Sequence, residues 1–302
     1  MAPDRRAAPP YPTLSPKVGG ESAATMSAFL RCGRFRLALD RPLVMGVVNV
    51  TPDSFYDGGL HASTAAAIAH ARRLVEEGAD LLDIGGESSR PGSEAVSLDG
   101  ELARVLPVLD GLRELELPIS VDTTKPAVMR AAIAHGASMI NDITALGAPG
   151  ALEAVAAGAA AVCLMHMRGE PKTMQADPAY ADVVAEVRGF LAARVAVCVA
   201  AGIPRDRITI DPGFGFGKTV EHNLMLLREL GAIAALGVPV LAGWSRKSSL
   251  GRVTGRAPEE RLASSLAAAL IAVQRGARIV RVHDVAATRD VFAVLDAVQG
   301  KP

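Results

Sequence analysis

From residue 28 onward the chain repeats one pattern: a short apolar run, a loop with Gly or Pro, and a longer Ala/Leu/Arg/Glu stretch. Short runs rich in Val, Ile and Leu are typical of buried strands, and apolar residues three or four positions apart are typical of helices. The alternation therefore predicts a parallel sheet of strand–helix units. The predicted strands are Leu43–Val48, Asp80–Ile84, Ile119–Asp122, Met139–Asp142, Ala161–Met165, Ile208–Asp211, Val238–Ala242 and Arg278–Val282.

The number and spacing of these strands favour a closed barrel. Eight strands that recur roughly every 34 residues match the (β/α)8 TIM barrel. The first strand runs into Asn49-Val-Thr-Pro-Asp53, which lacks the Gly-rich turn of a doubly wound sheet. Ahead of it, residues 29–37 alternate about Gly33, which predicts a small β-hairpin that closes the bottom of the barrel.

Length and composition favour one folded domain in the chain of 302 residues. Composition does not shift after Leu43, so we assign residues 28–302 to a single α/β domain. Residues 1–27 are rich in Pro, Gly, Ala and Ser without an apolar run, and we expect a disordered N-terminal extension. Met26 is an alternative start of the protein.

Charge and cysteine content limit the possible partners and the compartment. The 32 basic and 32 acidic residues balance, so no overall field attracts nucleic acid or an anionic membrane. No apolar run reaches the ~18 residues of a membrane span. The three cysteines, Cys32, Cys163 and Cys198, are too few and too scattered for a disulfide framework. We expect a cytoplasmic protein that binds neither nucleic acid nor membrane.

Polar residues follow every predicted strand, and in such a barrel the carboxyl ends of the strands form the active face. A single Asp there is more often a helix N-cap than a ligand. A polar residue at all eight ends is harder to explain by capping alone. These residues are Asn49, Asp83 with Glu87 and Arg90, Asp122, Asn141 with Asp142, His166, Asp211, Ser245 with Arg246 and Lys247, and Arg281 with His283.

The motifs at these ends resemble those of the dihydropteroate synthase family, in order, from about Leu43 to Val298. The matching segments are Met45–Phe55 (MGVVNVTPDSF), Asp83–Gly92 (DIGGESSRPG), Val121–Pro126 (VDTTKP), Asn141–Ile143 (NDI), Asp211–Lys218 (DPGFGFGK), Ser245–Ser248 (SRKS) and Arg281–His283 (RVH). The resemblance implies an enzyme of folate biosynthesis that joins 6-hydroxymethyl-7,8-dihydropterin pyrophosphate to p-aminobenzoate. The products are 7,8-dihydropteroate and pyrophosphate.

The resemblance also implies which residues bind each part of the substrates. The flat pterin offers N–H donors beside ring-nitrogen and carbonyl acceptors, which suits Asp122, Asn141 and Asp211, with Lys247 donating to the carbonyl. Arg90, Arg281 and His283 form the basic cluster expected to hold the pyrophosphate. Mg2+ keeps most of its waters, so the Asn49 carbonyl alone is a chemically sufficient protein ligand for the cofactor.

The p-aminobenzoate pocket implied by the resemblance consists of Phe55, Ser89, Pro91, Phe216, Lys247 and Ser248. Two long loops, Thr51–Ala62 and Gly85–Ser97, carry part of it and are expected to close over the leaving group. Three positions depart from the family's usual residues: Tyr56, Ser89 and Thr124. The change at Ser89 bears on affinity for p-aminobenzoate and its sulfonamide mimics. The resemblance implies a homodimer, and we expect contact through helices at Arg261–Ala272 and Arg289–Val298.

Chemically, the pyrophosphate can depart ahead of amine attack, because the pterin ring delocalises the resulting cation. Catalysis then consists of positioning and leaving-group stabilisation, with Lys247, Arg281 and Asp122 as the catalytic residues. No general base is essential, which fits the lack of a Ser/His/Asp arrangement in the sequence.

The sequence fits other functions less well. Gly213–Thr219 has three residues between its glycines where a phosphate loop needs four. His166 and His283 have no neighbouring His or Cys at zinc-site spacing and His166 is expected near the pocket. A pterin-binding methyltransferase barrel and a catalytically inactive pterin-binding paralogue remain alternatives. Ser245–Ser248 and Arg281–His283, with the absence of a cobalamin-binding segment from the sequence, favour the synthase over the methyltransferase. Asn49, Arg90, Lys247 and Arg281 favour it over the inactive paralogue.

Overall fold

The computed structural model describes residues 28–50, 59–88 and 94–300, with side chains of the second segment described from residue 63. The predicted disordered extension at 1–27 lies outside these residues, and the division of the chain at residue 28 remains a prediction. None of the helices in the described part is long and apolar enough to cross a membrane.

Eight parallel strands close into a barrel, as the hydrophobic pattern predicts. In order around the barrel the strands are β10, β3, β4, β5, β6, β7, β8 and β9, so neighbours in sequence are neighbours in space and the last strand pairs with the first. Their bounds are β3 (Leu43–Asn49), β4 (Leu81–Gly85), β5 (Ile119–Asp122), β6 (Met139–Asp142), β7 (Ala161–Met165), β8 (Ile208–Asp211), β9 (Val240–Ala242) and β10 (Ala277–Val282).

Helices follow the strands and cover the outside of the barrel. They are α1 (Gly59–Glu76), α2 (Leu98–Gly111), α3 (Pro126–Ala134), α4 (Ala151–Ala156), α5 (Val183–Ala200), α6 (Val220–Arg228), α7 (Leu230–Ala234), α8 (Ser248–Thr254), α9 (Leu262–Gln274) and α10 (Val285–Val298). The last helix starts four residues before the predicted Arg289, and α9 extends two residues past Ala272. The loop predicted to end at Ala62 ends earlier, because α1 begins at Gly59.

Several of the strand bounds predicted from the sequence differ from those in the structure by one or two residues. The ninth strand begins at Val240 and not at Val238, because Pro239 has no N–H for the ladder and only its carbonyl is used, by Ile210 N at 2.9 Å. β4 begins at Leu81 because the Asp80 side chain turns back to accept from Val44 N at 2.7 Å. β10 begins one residue early, at Ala277, with a register shift before Ile279.

The period-two alternation of strand side chains divides the interior into two layers. Outward side chains of the strands join the helices in one large apolar core. Inward side chains at the amino ends form a second, smaller apolar cluster: Leu43, Met45, Leu81, Met139, Ala161, Cys163, Leu241 and Ile279.

The predicted N-terminal hairpin closes this second cluster from below. It consists of β1 (Phe29–Cys32) and β2 (Phe35–Ala38), paired antiparallel. Leu30 and Cys32 of β1 are fully buried against the lower interior layer. Because the amino end of the barrel is filled by the hairpin, the carboxyl end is left for chemistry.

Candidate active site

The inward positions at the carboxyl ends of the strands carry charged and amide side chains. Gly85, Asp122 and Asn141 lie level with one another across three adjacent strands, and Asn49 is level with Gly85. Asp211 ends β8, opposite Met165 of β7. Arg281 comes from β10, next to β3. The closed barrel therefore brings residues far apart in sequence to one rim.

Arg281 connects three strands of this rim. Its Nε donates to Asp83 Oδ2 at 2.6 Å, and its Nη2 lies 3.4 Å from Asp122 Oδ2. Asn141 Nδ2 donates to the same Asp83 oxygen at 3.1 Å, while Asp83 Oδ1 is buried without a hydrogen-bond partner. Sequence reasoning placed Asp83 at a strand end but gave it no role. The signal in the sequence is its spacing: Asp83 comes two residues after Leu81 in the same strand, so both side chains point into the barrel.

The electrostatics of the rim reflect two carboxylates that share one guanidinium. Burial, and then the charge of Asp83, raise the pKa of Asp122 to about 7, although Arg281 opposes the shift. Burial also raises the pKa of Asp211, against the opposing effect of Lys247. The pKa of Lys247 is lowered to about 8, again chiefly by burial. The pKa values of Asp122 and Lys247 therefore lie near neutral pH, where the charge of a bound ligand can change the protonation of these two groups.

Lys247 and Phe216 meet on the other side of the rim. Lys247 precedes α8, and its Nζ donates to the Phe214 carbonyl and lies 4.7 Å from the centroid of the Phe216 ring. Phe216 is partly buried, and Ser248 begins α8 with an exposed side chain. An aromatic face and an ammonium thus lie close together, with a hydroxyl on the next residue of the chain, which suits an aromatic carboxylate.

Asp211 is both a ligand candidate and a local cap. Its Oδ1 accepts from Gly213 N at 2.7 Å, which fixes the start of the turn after β8. It does not cap α6, whose N-cap is Thr219. Because only Oδ1 is engaged in this way, the carboxylate retains an acceptor for a ligand.

His283 also lies at this end of the barrel. His283 Nδ1 lies 2.9 Å from Ser245 Oγ, which also accepts from His283 N at 3.2 Å, so the ring is tied to the loop after β9.

Two other strand-end candidates face away from the rim. Asp142 is an outward residue, and its oxygens accept from Thr144 N, Thr144 Oγ1 and Leu146 N. Arg246 has a positive φ of 58° and forms an exposed ion pair with Asp284 at 2.5 Å. Both are structural: the first shapes a turn and the second ties two loops together.

Among the remaining predicted residues, Phe55, Ser89, Arg90 and Pro91, and also Tyr56, lie outside the described part of the chain. Asn49 is partly buried at the rim, as expected. Within the segments that are described, no three His, Cys, Asp or Glu side chains are grouped closely enough to hold a metal ion.

Comparison with known proteins identifies the family of this site. Residues 45–283 match the family described as pterin-binding enzymes. The dihydropteroate synthase of Neisseria meningitidis serogroup B is 52% identical over 275 residues, covering 89% of this chain and 96% of that protein. The chain belongs to the dihydropteroate synthase family. It is a transferase that makes 7,8-dihydropteroate from a pterin and p-aminobenzoate.

Solved structures of dihydropteroate synthases agree with this assignment. The Xanthomonas albilineans enzyme with 4-aminobenzoic acid is 57% identical, with a TM-score of 0.86, covering 91% of this chain and all (100%) of that one. The Burkholderia cenocepacia enzyme complexed with 7,8-dihydropteroate is 53% identical, with a TM-score of 0.84 and coverage of 91% and 98%. The family resemblance inferred from the motifs is confirmed. The methyltransferase and inactive-paralogue alternatives are set aside.

Proposed function

We propose that the rim binds a dihydropterin pyrophosphate by its pterin edge through Asp122, Asn141 and Asp211, with Lys247 on the ring carbonyl. The observation that carries this proposal is the convergence of two carboxylates, a carboxamide and an ammonium from four strands or strand ends on one open end of the barrel. An ionised carboxylate and a neighbouring amide form charge-assisted hydrogen bonds to an edge rich in N–H donors.

The basic side of the rim is proposed to bind the pyrophosphate. Arg281 supplies a guanidinium fork beside His283, and Arg90 is expected to complete the cluster. Arg281 is already engaged by Asp83 on its Nε and by Asp122 on its Nη2, so Nη1 is the nitrogen proposed to donate to the pyrophosphate. Partial neutralisation of the departing pyrophosphate is the main electrostatic contribution to catalysis.

The donor set at Asn49 suits Mg2+. A Cβ on residue 85 would lie 3.7 Å from Asn49 Oδ1 and 3.9 Å from Asp122 Cβ, so Gly85 leaves space between them. An amide oxygen beside such a space fits a hard cation that takes few protein ligands. When bound there with the substrate, Mg2+ supplies positive charge to the phosphate oxygens.

p-Aminobenzoate is proposed to lie against Phe216 with its carboxylate toward Ser248 and Lys247, and with Phe55, Ser89 and Pro91 completing the pocket. In the mechanism that these residues support, the pyrophosphate leaves first and the aryl amine then attacks the methylene carbon. The C–O bond to pyrophosphate breaks, the C–N bond forms, and the amine sheds its proton afterwards. Lys247, Arg281 and Asp122 act by holding both partners and the leaving group in line.

The decisive experiment mixes the purified protein with the pterin pyrophosphate, Mg2+ and p-aminobenzoate and detects 7,8-dihydropteroate by mass. Binding order tests the mechanism separately. Titration of p-aminobenzoate is expected to show weak binding to the free protein and tighter binding with pyrophosphate, Mg2+ and a pterin present. Equal affinities under the two conditions would mean a preformed pocket and would remove this binding order.

A homodimer through α9 and α10 is also proposed. These adjacent helices expose Ile271 (41%), Val294 (64%) and Val298 (80%) on the outside of the barrel. Exposed apolar side chains on neighbouring helices are typical of subunit interfaces. We expect Ile271→Glu with Val294→Glu to give monomers in sedimentation experiments. Val197→Glu on α5, which is 39% exposed, is the matched control, and a monomeric parent protein would refute the proposal.

A cytoplasmic location remains a prediction from the sequence.

A further inference from the structure

The Gly213–Gly217 segment, here called the pocket turn, follows β8 and carries Phe216. Each of its five carbonyl oxygens accepts a hydrogen bond from a side chain. Lys218 Nζ donates to Gly213 O at 2.9 Å and to Phe216 O at 3.0 Å. The other three donors are Lys247 Nζ to Phe214 O, Gln175 Nε2 to Gly215 O, and Tyr180 Oη to Gly217 O.

Lys218 is the donor with the most contacts and is 2% exposed. Besides the two carbonyls of the pocket turn, its Nζ lies 3.0 Å from His166 Nδ1 and 3.3 Å from His166 O. Burial and the Lys218 charge lower the pKa of His166 to about 3, so the ring is neutral and its Nδ1 can accept. Burial lowers the pKa of Lys218 to about 7, but its Nζ carries N–H donors in both protonation states and is bound to several parts of the backbone at once.

The backbone of the pocket turn lies directly against the backbone of the segment after β7. No side chain fits between the two segments, so side-chain packing does not position the turn there. Gly213 has a φ of +68°, and a Cβ there would fall 1.9 Å from His166 O. Gly217 has a φ of +61°, and its Cβ would fall 2.3 Å from Arg168 O. With two backbone segments in direct contact, the hydrogen bonds of Lys218 across that contact fix the orientation of the peptide groups.

We infer that Lys218 is a positioning residue that sets the pocket turn, and through it the Phe216 ring and the Phe214 carbonyl that engages Lys247. The inference rests on the proposed function, because Phe216 and Lys247 are the residues placed against p-aminobenzoate. Lys218 itself is buried behind the turn and touches no substrate in this arrangement. Two of the four proposed pterin ligands, Asp122 and Asn141, lie on other strands. The other two, Asp211 and Lys247, contact the turn, so the pterin edge depends on the turn in part and less than the p-aminobenzoate pocket does.

The central test is Lys218→Met, which keeps an unbranched apolar side chain one atom shorter than lysine and removes its donors. We expect the KM for p-aminobenzoate to rise about tenfold or more, while the KM for the pterin pyrophosphate changes less than about threefold. Urea unfolding of the same samples measures the loss of stability.

Arg207 provides a matched control for a buried cation that holds backbone carbonyls. It is 8% exposed and donates to Ala160 O at 2.6 Å and Val155 O at 3.1 Å, at the opposite end of the barrel. Arg207→Met is expected to lower stability as Lys218→Met does and to leave both KM values unchanged. A merely structural role for Lys218 predicts the same behaviour for both variants.

Tyr180→Phe is the second test variant, because it removes one donor from the pocket turn without removing a charge. We expect the same selective rise in the p-aminobenzoate KM, about threefold. If Lys218→Met does not fold, Tyr180→Phe carries the test alone. Equal rises for the two substrates, or no rise beyond that of Arg207→Met, would overturn the inference. Failure of the parent protein to make 7,8-dihydropteroate would instead refute the proposed function.

Discussion

The two ends of the barrel interior are built from the same strands but from opposite kinds of side chain. At the amino end, Met45, Leu81 and Ile279 are fully buried among other apolar groups beneath the hairpin. Two residues further along the same strands, Asp83 and Arg281 are charged and tied to each other at 2.6 Å. One end stabilises the fold by excluding water, whereas the other keeps charge in place for a ligand.

This division has a measurable energetic cost at the carboxyl end. Desolvation of the charged groups there displaces the pKa of Asp122 upward to about 7 and that of Lys247 downward to about 8. The charged groups at this end offset the cost of one another's desolvation only in part. A ligand with complementary donors and charges is expected to offset the remainder. The comparison teaches that stability and binding are separated along each strand rather than between strands.

The largest expected effect is that of Arg281→Met. It leaves the fully buried Asp83 without its cation, which should reduce the free energy of unfolding by about 3 to 5 kcal/mol. Binding of the pterin pyrophosphate should weaken much more than binding of the free pterin alcohol, because the lost contact is to phosphate. Urea unfolding and calorimetry measure the two effects. Equal loss of affinity for both ligands would exclude Arg281 as a pyrophosphate ligand.

At the amino end, Met45→Ala should create a cavity under the hairpin. We expect a loss of about 2 to 5 kcal/mol in the free energy of unfolding, as for other buried large-to-small changes. Both KM values should stay near those of the parent protein, since the lower layer contains no charged group. A selective change in either KM would show that the two ends are coupled.

Asp211→Asn should affect binding without affecting the fold. The new carboxamide oxygen can still accept from Gly213 N, so the turn is retained, but the charge shared with pterin donors is lost. Pterin affinity should fall about 10- to 100-fold, the equivalent of one charge-assisted hydrogen bond, with an unchanged unfolding midpoint. Normal pterin affinity in calorimetry would show that Asp211 serves only to cap the turn after β8 and does not bind pterin.

The smallest expected effect is the release of a proton when pterin binds, and its size should depend on pH. Folding raises the pKa of Asp122 to about 7, so the folded protein holds a proton that the unfolded chain releases above about pH 4. The contribution of this group to stability therefore falls as the pH rises from about 4 to about 7. Because pterin donors need the ionised carboxylate, pterin binding should release a proton at about pH 6 and much less at about pH 8.

Calorimetry in two buffers with different ionisation enthalpies measures that release. Asp122→Asn is the control, and it should abolish the part of the proton release that depends on Asp122. Identical proton release from the parent and the variant would assign the titration to another group, such as Asp211.

The convergence of Asp122, Asn141, Asp211 and Arg281 on one rim was predictable, because strand ends in a parallel barrel converge. The same alternation explains what went wrong: Asn141 points inward and binds Asp83, whereas its neighbour Asp142 points outward and caps a turn. A pattern of period two in the sequence would have distinguished them. Arg246 could not be distinguished in this way from Lys247. Both lie in the loop between β9 and α8, where the alternation of a strand does not apply.

The supporting contacts were not predictable. Nothing in the sequence around Lys218 shows that its ammonium crosses to His166, since that contact joins two loops 52 positions apart. Likewise, the pairing of Asp83 with Arg281 depends on closure of the barrel and not on any local pattern. Sequence motifs therefore locate the residues proposed to bind substrates better than the residues that hold them in place.

The ion pair between Arg281 and Asp83 joins positions 198 residues apart, and β10 is the strand that closes the barrel onto β3. During synthesis the chain emerges from its amino end, so β4 is made long before its cation exists. A nascent or truncated chain that lacks β10 has neither a closed barrel nor a basic group beside Asp83. If Arg281 binds the pyrophosphate as proposed, ribosome-bound intermediates are expected not to bind the pterin pyrophosphate until the last strand has been added.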